Sequence, residues 1–305
     1  MPGNIVVIGS SNTDMIVQVS RIPRPGETIL GGEFCTAAGG KGANQAVAAA
    51  RAGGQVTLVA RVGQDMFGQQ AVQGFLKDHI NVDHVLRDAT APSGVALIFV
   101  EPSGENSIAV ASGANAQLSP QDVTHAGSVI RAADMVVMQL ETPLETVSAA
   151  AGIARSAQVR VILNPAPAQP LNDELLRNVT ILTPNESEAE LLTGIRVDET
   201  SGVEEAAEAL LAKGLEIVML TLGARGVFVA TTEMREWVPG FQVDPVDTTA
   251  AGDVFNGALA VALAENRPLL EAARFANAAA ALSVTRLGAQ PSAPQRNPIE
   301  AMLTS

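Results

Sequence analysis

The residues with the clearest chemical potential stand late in the chain, in Asp247-Thr248-Thr249-Ala250-Ala251-Gly252-Asp253-Val254-Phe255-Asn256-Gly257. Small residues crowd the start of a segment that reads as a helix, about Gly252–Ala264, so several unpaired N–H groups can face one point. Such a cluster suits the negative charge that builds up on a transferring phosphoryl group. Asp253 falls in the first turn, where the helix dipole favours its anion, and it can accept a proton from an attacking hydroxyl. The plainer alternative is an aspartate that only helps the helix start. A second cluster, Gly39-Gly40-Lys41-Gly42-Ala43-Asn44, also precedes a helix. Its glycines let the backbone approach a ligand closely, while Lys41 and Asn44 add donors for hydroxyls or phosphate. A tight strand–helix turn uses the same glycines.

Three further polar sets interrupt apolar surroundings. Asn12 and Asp14 follow the first apolar run, Glu141 follows the run Met135–Leu140, and Asn185, Glu186 and Glu188 follow a run ending at Leu182. Open α/β sheets bind ligands at the carboxyl ends of their strands, where such groups can hold sugar hydroxyls or organise magnesium. Helix capping explains each set singly, but three sets at one sheet edge point to a site. Thr221-Leu222-Gly223-Ala224-Arg225-Gly226 joins two strands, and its glycines admit either a nucleotide or a simple turn.

Other chemistries lack their signatures here, which excludes a P-loop and disfavours the rest. Gly42 follows Gly40-Lys41, so there is no P-loop, and Gly9-Ser10-Ser11-Asn12 breaks a dinucleotide fingerprint. His79, His84 and His125 have no ligand spacing, and Cys35 is a single thiol without a CxxC or disulfide partner.

These residues need a scaffold, and the hydrophobic rhythm predicts one. Strands are expected at Ile5–Ile8, Met15–Val19, Thr28–Leu30, Val56–Val62, Gly94–Val100 and Ser107–Ala111, with helices from Gly40 to about Ala52 and at Phe67–Lys77. From Leu118 onward helices and strands alternate, and two final helices, about Gly252–Ala264 and Leu269–Val284, close the chain. The pattern implies a doubly wound α/β fold: a mostly parallel sheet with helices on both faces. The β segments at about 12–35 and 93–112 break that rhythm. They read as a small β-sheet lid on a single domain spanning 1–305, or else as edge strands of the main sheet.

The chain has 305 residues, 47% of them hydrophobic and 17% charged, so it can bury a large core. A net charge of −13 and 3% aromatics argue against nucleic acid or an anionic membrane as partner. The start has no basic region before its short apolar run, and no stretch reaches membrane-spanning length, so a cytoplasmic protein is expected.

Together the motifs resemble the ribokinase-type (phosphofructokinase-B) carbohydrate kinases over nearly the whole length. The resemblance rests on residues 9–14, 39–49, 94–100, 139–141 (Gln-Leu-Glu), 164–168 (Asn-Pro-Ala-Pro-Ala), 183–186, 221–226, 246–257 and 288–292. It implies phosphorylation of the primary hydroxyl of ribose by ATP. Asp253 then matches the catalytic base, and Ala250, Ala251 and Gly252 the anion hole. Asn12-Thr13-Asp14, Gly40-Lys41-Gly42-Ala43-Asn44 and Glu141 match the sugar site. Asn185, Thr221-Leu222-Gly223-Ala224-Arg225-Gly226, Gly252, Asp253 and Asn277 match positions around ATP. Glu188 matches a position tied to Mg2+ and phosphate. Asp247, Thr249, Ser283, Arg286, Gly288 and Ser292 match a monovalent-cation site, which implies activation by K+. A homodimer paired through the lids is implied as well. Many members of the family carry glycine at the place of Ala250 and histidine at the place of Asn277. Two other readings fit the same motifs: a kinase of this family acting on another sugar or a nucleoside, and a non-catalytic sugar sensor.

Overall fold

The first apolar run becomes the strand around which the rest is laid out. The computed structural model describes residues 2–198 and 200–304. In chain order the elements begin with β1 (Asn4–Ile8), β2 (Asn12–Gln18), β3 (Phe34–Gly39), α1 (Lys41–Arg51), β4 (Gln55–Gly63), α2 (Met66–Lys77), β5 (Asn81–Asp88), β6 (Gly94–Val100) and β7 (Asn106–Ala111). Then come α3 (Pro120–His125), α4 (Gly127–Arg131), β8 (Met135–Met138), α5 (Leu144–Ser156), β9 (Arg160–Leu163), α6 (Asp173–Leu176), β10 (Ile181–Leu182), α7 (Glu186–Thr193) and α8 (Thr200–Leu211). The chain ends with β11 (Ile217–Thr221), β12 (Val227–Thr231), β13 (Arg235–Val238), α9 (Ala251–Ala264), α10 (Leu269–Ser283) and α11 (Arg296–Thr304).

Nine strands form one sheet in the order β13-β12-β11-β10-β9-β8-β1-β4-β5. Neighbours from β5 across to β11 run parallel, and β12 and β13 add an antiparallel edge. Side chains alternate across a strand. Accordingly, Ile5 and Val7 of β1 enter a core shared with α1, α9 and α10, while Val6 and Ile8 enter a second core shared with α3, α5 and α8. Burial on both faces is why β1 reads as an unbroken apolar run. The expected doubly wound sheet is therefore present. Strand order reverses at β1, because β4 and β5 extend one way and β8 to β11 the other. Such a reversal leaves a crevice at the carboxyl ends of β1 and β8.

The β segments that broke the rhythm form a separate four-stranded sheet, β3-β2-β6-β7. One expected strand is corrected. Thr28–Leu30 belongs to a loop, with Leu30 95% exposed, and the strand that pairs with β2 is Phe34–Gly39. The lid therefore reaches residue 39. Pro23, Pro25 and Gly26 make the intervening segment a connector, whereas the small residues Thr36, Ala37 and Ala38 disguise β3. Strands β5 and β13 and helix α11 were not anticipated either. The two strands carry charged residues, such as Arg87 and Asp88 or Arg235 and Glu236, at places that an apolar-run reading skips.

Helices α1 and α9 pack against each other unusually closely. A Cβ at Gly257 would stand 2.6 Å from the Gln45 carbonyl oxygen and 2.8 Å from the Ala48 Cβ. Alanine and glycine at this seam let the two helices start side by side at the crevice.

Candidate active site

The crevice holds a cavity of about 590 Å³ that gathers the starts of α1 and α9, the loop after β8, the start of α7 and one face of the lid. Asp253 lies in its wall and is only 5% exposed. Its Oδ2 accepts a hydrogen bond from Asn44 Nδ2, and its Oδ1 accepts one from Gln45 Nε2, both at 2.9 Å. Burial pushes its pKa up, while Lys41 and the two amide donors oppose that shift. The result is a hydrogen-bonded, little-hydrated carboxylate at a helix N-terminus.

Ala250 precedes this helix in the left-handed region, at φ 59°, which costs a non-glycine residue on the order of 1–2 kcal/mol. Glycine would adopt that conformation without the cost. Ala250, Ala251 and Gly252 line the cavity. The Ala251 N–H reaches back to the Thr248 carbonyl at 3.3 Å, so the freest donors of the turn are those of Gly252 and Asp253.

On the lid side, Asp14, Glu141 and Lys41 converge. Burial raises the Asp14 carboxyl to about 6, helped by the nearby Glu141 and Asp253 charges. Burial works against the Lys41 ammonium, but Asp253, Glu141 and Glu188 outweigh it and raise the pKa of Lys41. Glu141 Oε2 accepts the Lys41 backbone N–H at 3.0 Å and the Ser10 hydroxyl. Asn12 turns its Oδ1 to Asn115 Nδ2 at 2.7 Å, which leaves its own amide N–H groups for the cavity. Gly40 opens α1 at φ 87°, with the Asn12 backbone nitrogen 2.6 Å from where a Cβ would be. Only glycine fits that turn.

On the far side, Asn185 and Glu188 close a capping box. The Asn185 backbone N–H donates to Glu188 Oε2 at 2.9 Å, and the Glu188 N–H donates to Asn185 Oδ1 at 2.8 Å. Burial raises the Glu188 pKa against the pull of that N–H and of Lys41. Both residues line the cavity, as do Thr221, Gly223, Gly226 and Asn277. Asn277 Nδ2 donates to the carbonyls of Val238 and Pro239 at 3.1 and 3.2 Å, so its Oδ1 is the end left for a ligand.

Some sequence candidates stand outside the cavity wall. Thr13 borders a smaller cavity on the other side of the lid strand, with Phe67 and Gln290. Gly42 and Ala43 point their N–H groups at the Ser10 hydroxyl and carbonyl. Leu222 is buried in the core, and Ala224 is exposed outside the cavity wall. Arg225 pairs with Glu186 at 2.6 Å on the surface.

The proposed cation-site residues lie beside the α9 start. Asp247 bridges two loops, its Oδ1 accepting the Thr249 N–H at 2.9 Å and its Oδ2 the Gly288 N–H at 2.8 Å. The Arg286 N–H bonds the Ser283 carbonyl, and the Ser292 hydroxyl bonds the Ala289 carbonyl. Carboxylate and carbonyl oxygens are the donor type that a hard cation takes. Among the described residues no cluster of three or more histidine, cysteine or acidic side chains could hold a metal, and no helix is long and apolar enough to cross a membrane.

Sequence reasoning assigned no role to Ser10, Gln45, Asn115, Gln139 or Asn164, all buried beside the site. For four of them the only signal was membership of the segments 9–14, 39–49, 139–141 and 164–168, and Asn115 lies in none of these.

An acid beside a helix N-terminus at the switch point of an α/β sheet, under a β lid, defines a phosphoryl-transfer type of site. Residues 3–296 match the pfkB family carbohydrate kinases, and the chain belongs to that family. It is 47% identical over 296 residues to a ribokinase of Haemophilus influenzae, covering 97% of each chain. Among solved structures, ribokinase from Thermotoga maritima superposes with a TM-score of 0.91 at 40% identity, covering 99% of this chain and 100% of that one. Arabidopsis thaliana ribokinase complexed with ribose and ATP superposes with a TM-score of 0.91 at 34% identity over 100% of both chains.

Proposed function

We propose that this chain transfers the γ-phosphoryl group of ATP to the 5-hydroxyl of D-ribose, yielding D-ribose 5-phosphate and ADP. The observation that carries the reading is Asp253: a buried carboxylate oriented by Asn44 and Gln45 at the mouth of the α9 N-terminus. The sugar oxygen attacks the γ-phosphorus as the bond to the β-phosphate bridging oxygen breaks and its electron pair leaves with ADP. The hydroxyl proton passes to Asp253. The N–H groups of Gly252 and Asp253, with the dipole of α9, offset the charge on the moving phosphoryl group.

Asn12, Asp14, Gly40, Lys41, Asn44 and Glu141 hold the sugar under the lid. Asn185, Gly223, Gly226 and Asn277 surround the nucleotide. Glu188 organises Mg2+, which neutralises phosphate charge when bound. Asp247 and the carbonyls around 249 and 283–292 hold K+. The lid leaves Phe34, Leu97, Ile108 and Val110 about half exposed or more, which fits a homodimer joined lid to lid. The cytoplasm is the setting that goes with ATP as co-substrate.

The test is ADP formation from ATP with ribose, deoxyribose, fructose and adenosine, each in K+ and in Na+. Ribose is expected to give the highest kcat/KM, and K+ to raise it. Preference for another acceptor overturns the substrate, equal rates in both salts overturn the cation site, and no turnover with any acceptor overturns the kinase.

A further inference from the structure

We infer that Gln45, oriented by Gln139, is a positioning residue that locks the Asp253 carboxylate in the plane from which it takes the hydroxyl proton. The inference rests on the reading of Asp253 as the base.

The torsion that turns a carboxylate about its Cβ–Cγ bond is soft, so burial alone does not set its plane. Two donors on its two oxygens do. Asn44, on Oδ2, lines the cavity and is shared with whatever binds there. Gln45, on Oδ1, is 0% exposed and belongs to the core, so its bond persists with or without a substrate.

The direction of the Gln45 amide is forced. Its Nε2 faces two acceptors, Asp253 Oδ1 at 2.9 Å and Asn164 Oδ1 at 3.2 Å. Asn164 is committed as an acceptor there because its own Nδ2 donates to the Thr183 carbonyl at 3.2 Å. Gln45 Oε1 in turn accepts Gln139 Nε2 at 2.6 Å. A flipped Gln45 would set its oxygen against a carboxylate and against Asn164 Oδ1 while losing Gln139. The amides therefore run head to tail, donor ends toward Asp253.

The same network reaches the residue before the base. The Thr183 hydroxyl donates to Asn256 Oδ1 at 2.7 Å, and Asn256 Nδ2 donates to the Gly252 carbonyl at 2.8 Å. Carboxylate and helix start are thus held by one buried frame.

Gln139 supplies an independent observation. It is 1% exposed, and among the described residues its Oε1 has no hydrogen-bond partner. Gln139 makes one side-chain hydrogen bond among the described residues, the one that orients Gln45. A buried amide whose hydrogen bond runs to Gln45 fixes the orientation of that side chain.

The charges facing Asp253 are the Lys41 ammonium from α1, Glu141 from the loop after β8, Asp14 from β2 and Glu188 from α7. Removing the Gln45 donor leaves these in place. The acid limb of the kcat–pH profile then moves to higher pH, because the anion of Asp253 has lost a hydrogen bond.

The experiment compares Gln45→Leu, Gln139→Leu and Asp253→Asn in the full chain, measuring kcat, ribose KM, the kcat–pH profile and thermal midpoint. Gln45→Leu is expected to lower kcat by ~10–100-fold, with ribose KM changed less than about 3-fold and the acid limb raised. Gln139→Leu leaves every Asp253 contact in place and should move kcat by about 3–10-fold with the same limb shift. A Gln45→Leu enzyme with wild-type kcat and an unmoved limb overturns the inference, provided Asp253→Asn is inactive. An active Asp253→Asn enzyme overturns the base itself. Should Gln45→Leu not fold, Gln139→Leu decides: wild-type kcat and an unmoved limb again overturn the inference.

Discussion

On the floor of the cavity, Asp253, Asn44 and Gln45 are buried and hydrogen-bonded to one another. On the lid, Ile98, Ile108 and Val110 line the same space, yet Ile108 and Val110 are 54% and 52% exposed. The floor is fixed by two helices pressed together on a nine-stranded sheet. The lid is four strands with one apolar face turned to the cavity. Groups aimed at reacting atoms gain most from a rigid, dry setting, since they need no reorganisation during the reaction. A surface that must admit and release substrate gains from being loosely held. On the proposed function, chemistry would belong to the floor, and access and water exclusion to the lid.

The largest effect expected from this division is on the floor. Asp253→Asn keeps the size of the side chain and removes the proton acceptor, so turnover should fall by ~10²–10⁴-fold with the fold retained. Steady-state kinetics together with circular dichroism check this. A variant turning over at the wild-type rate would remove the floor's claim to the chemistry.

Asp14 stands at the border of the two regions, on a lid strand but facing floor carboxylates, and it should behave as both. Its carboxyl titrates at about 6 in the folded chain against 3.8 as the ordinary value, so between these pH values the folded state holds a proton that the unfolded state has lost. The group's contribution to stability is thus complete below 3.8 and is lost as pH rises through about 6. Sugar hydroxyls are best accepted by the ionised form, so ribose KM should rise as pH falls through about 6. Asp14→Asn should raise ribose KM by roughly 10-fold or more and abolish that pH dependence. At pH above 7 it should also raise the melting midpoint, by up to a few degrees. A lowered midpoint would mean that Asp14 is a structural anchor.

How far the sequence revealed this division follows from burial. Strands such as β1 and β8 are covered on both faces and read as apolar runs, so the doubly wound core was legible. The lid strand β3 was misplaced because Thr36, Ala37 and Ala38 have neither the bulk nor the alternation of a buried strand. Asp253, Asn44 and Glu141 stood out by residue type beside glycines or strand ends. Gln45 did not, since a glutamine early in an alanine-rich helix looks like any solvent-facing residue. Its partner Asp253 lies 208 positions further on, and no local spacing links the two. Ser10 and Asn115 were hidden for the same reason, because hydroxyls and amides near turns look like caps until the fold shows what they hold.

The smallest expected effect separates the regions most sharply. Ile108→Ser removes apolar cover from the lid without touching any group on the floor. It should leave kcat within about 2-fold and raise ribose KM about 2–5-fold. A leakier cover also lets water compete with the sugar for the phosphoryl group. ADP released without ribose should therefore rise as a fraction of total turnover, read from ATP consumption with and without the sugar. Asp253→Asn should lower both rates, because the base is lost whichever nucleophile attacks. A lid variant that instead lost kcat as the floor variant does would show that Ile108 helps to set the reacting geometry, and the boundary between floor and lid would have to move outward to include β7.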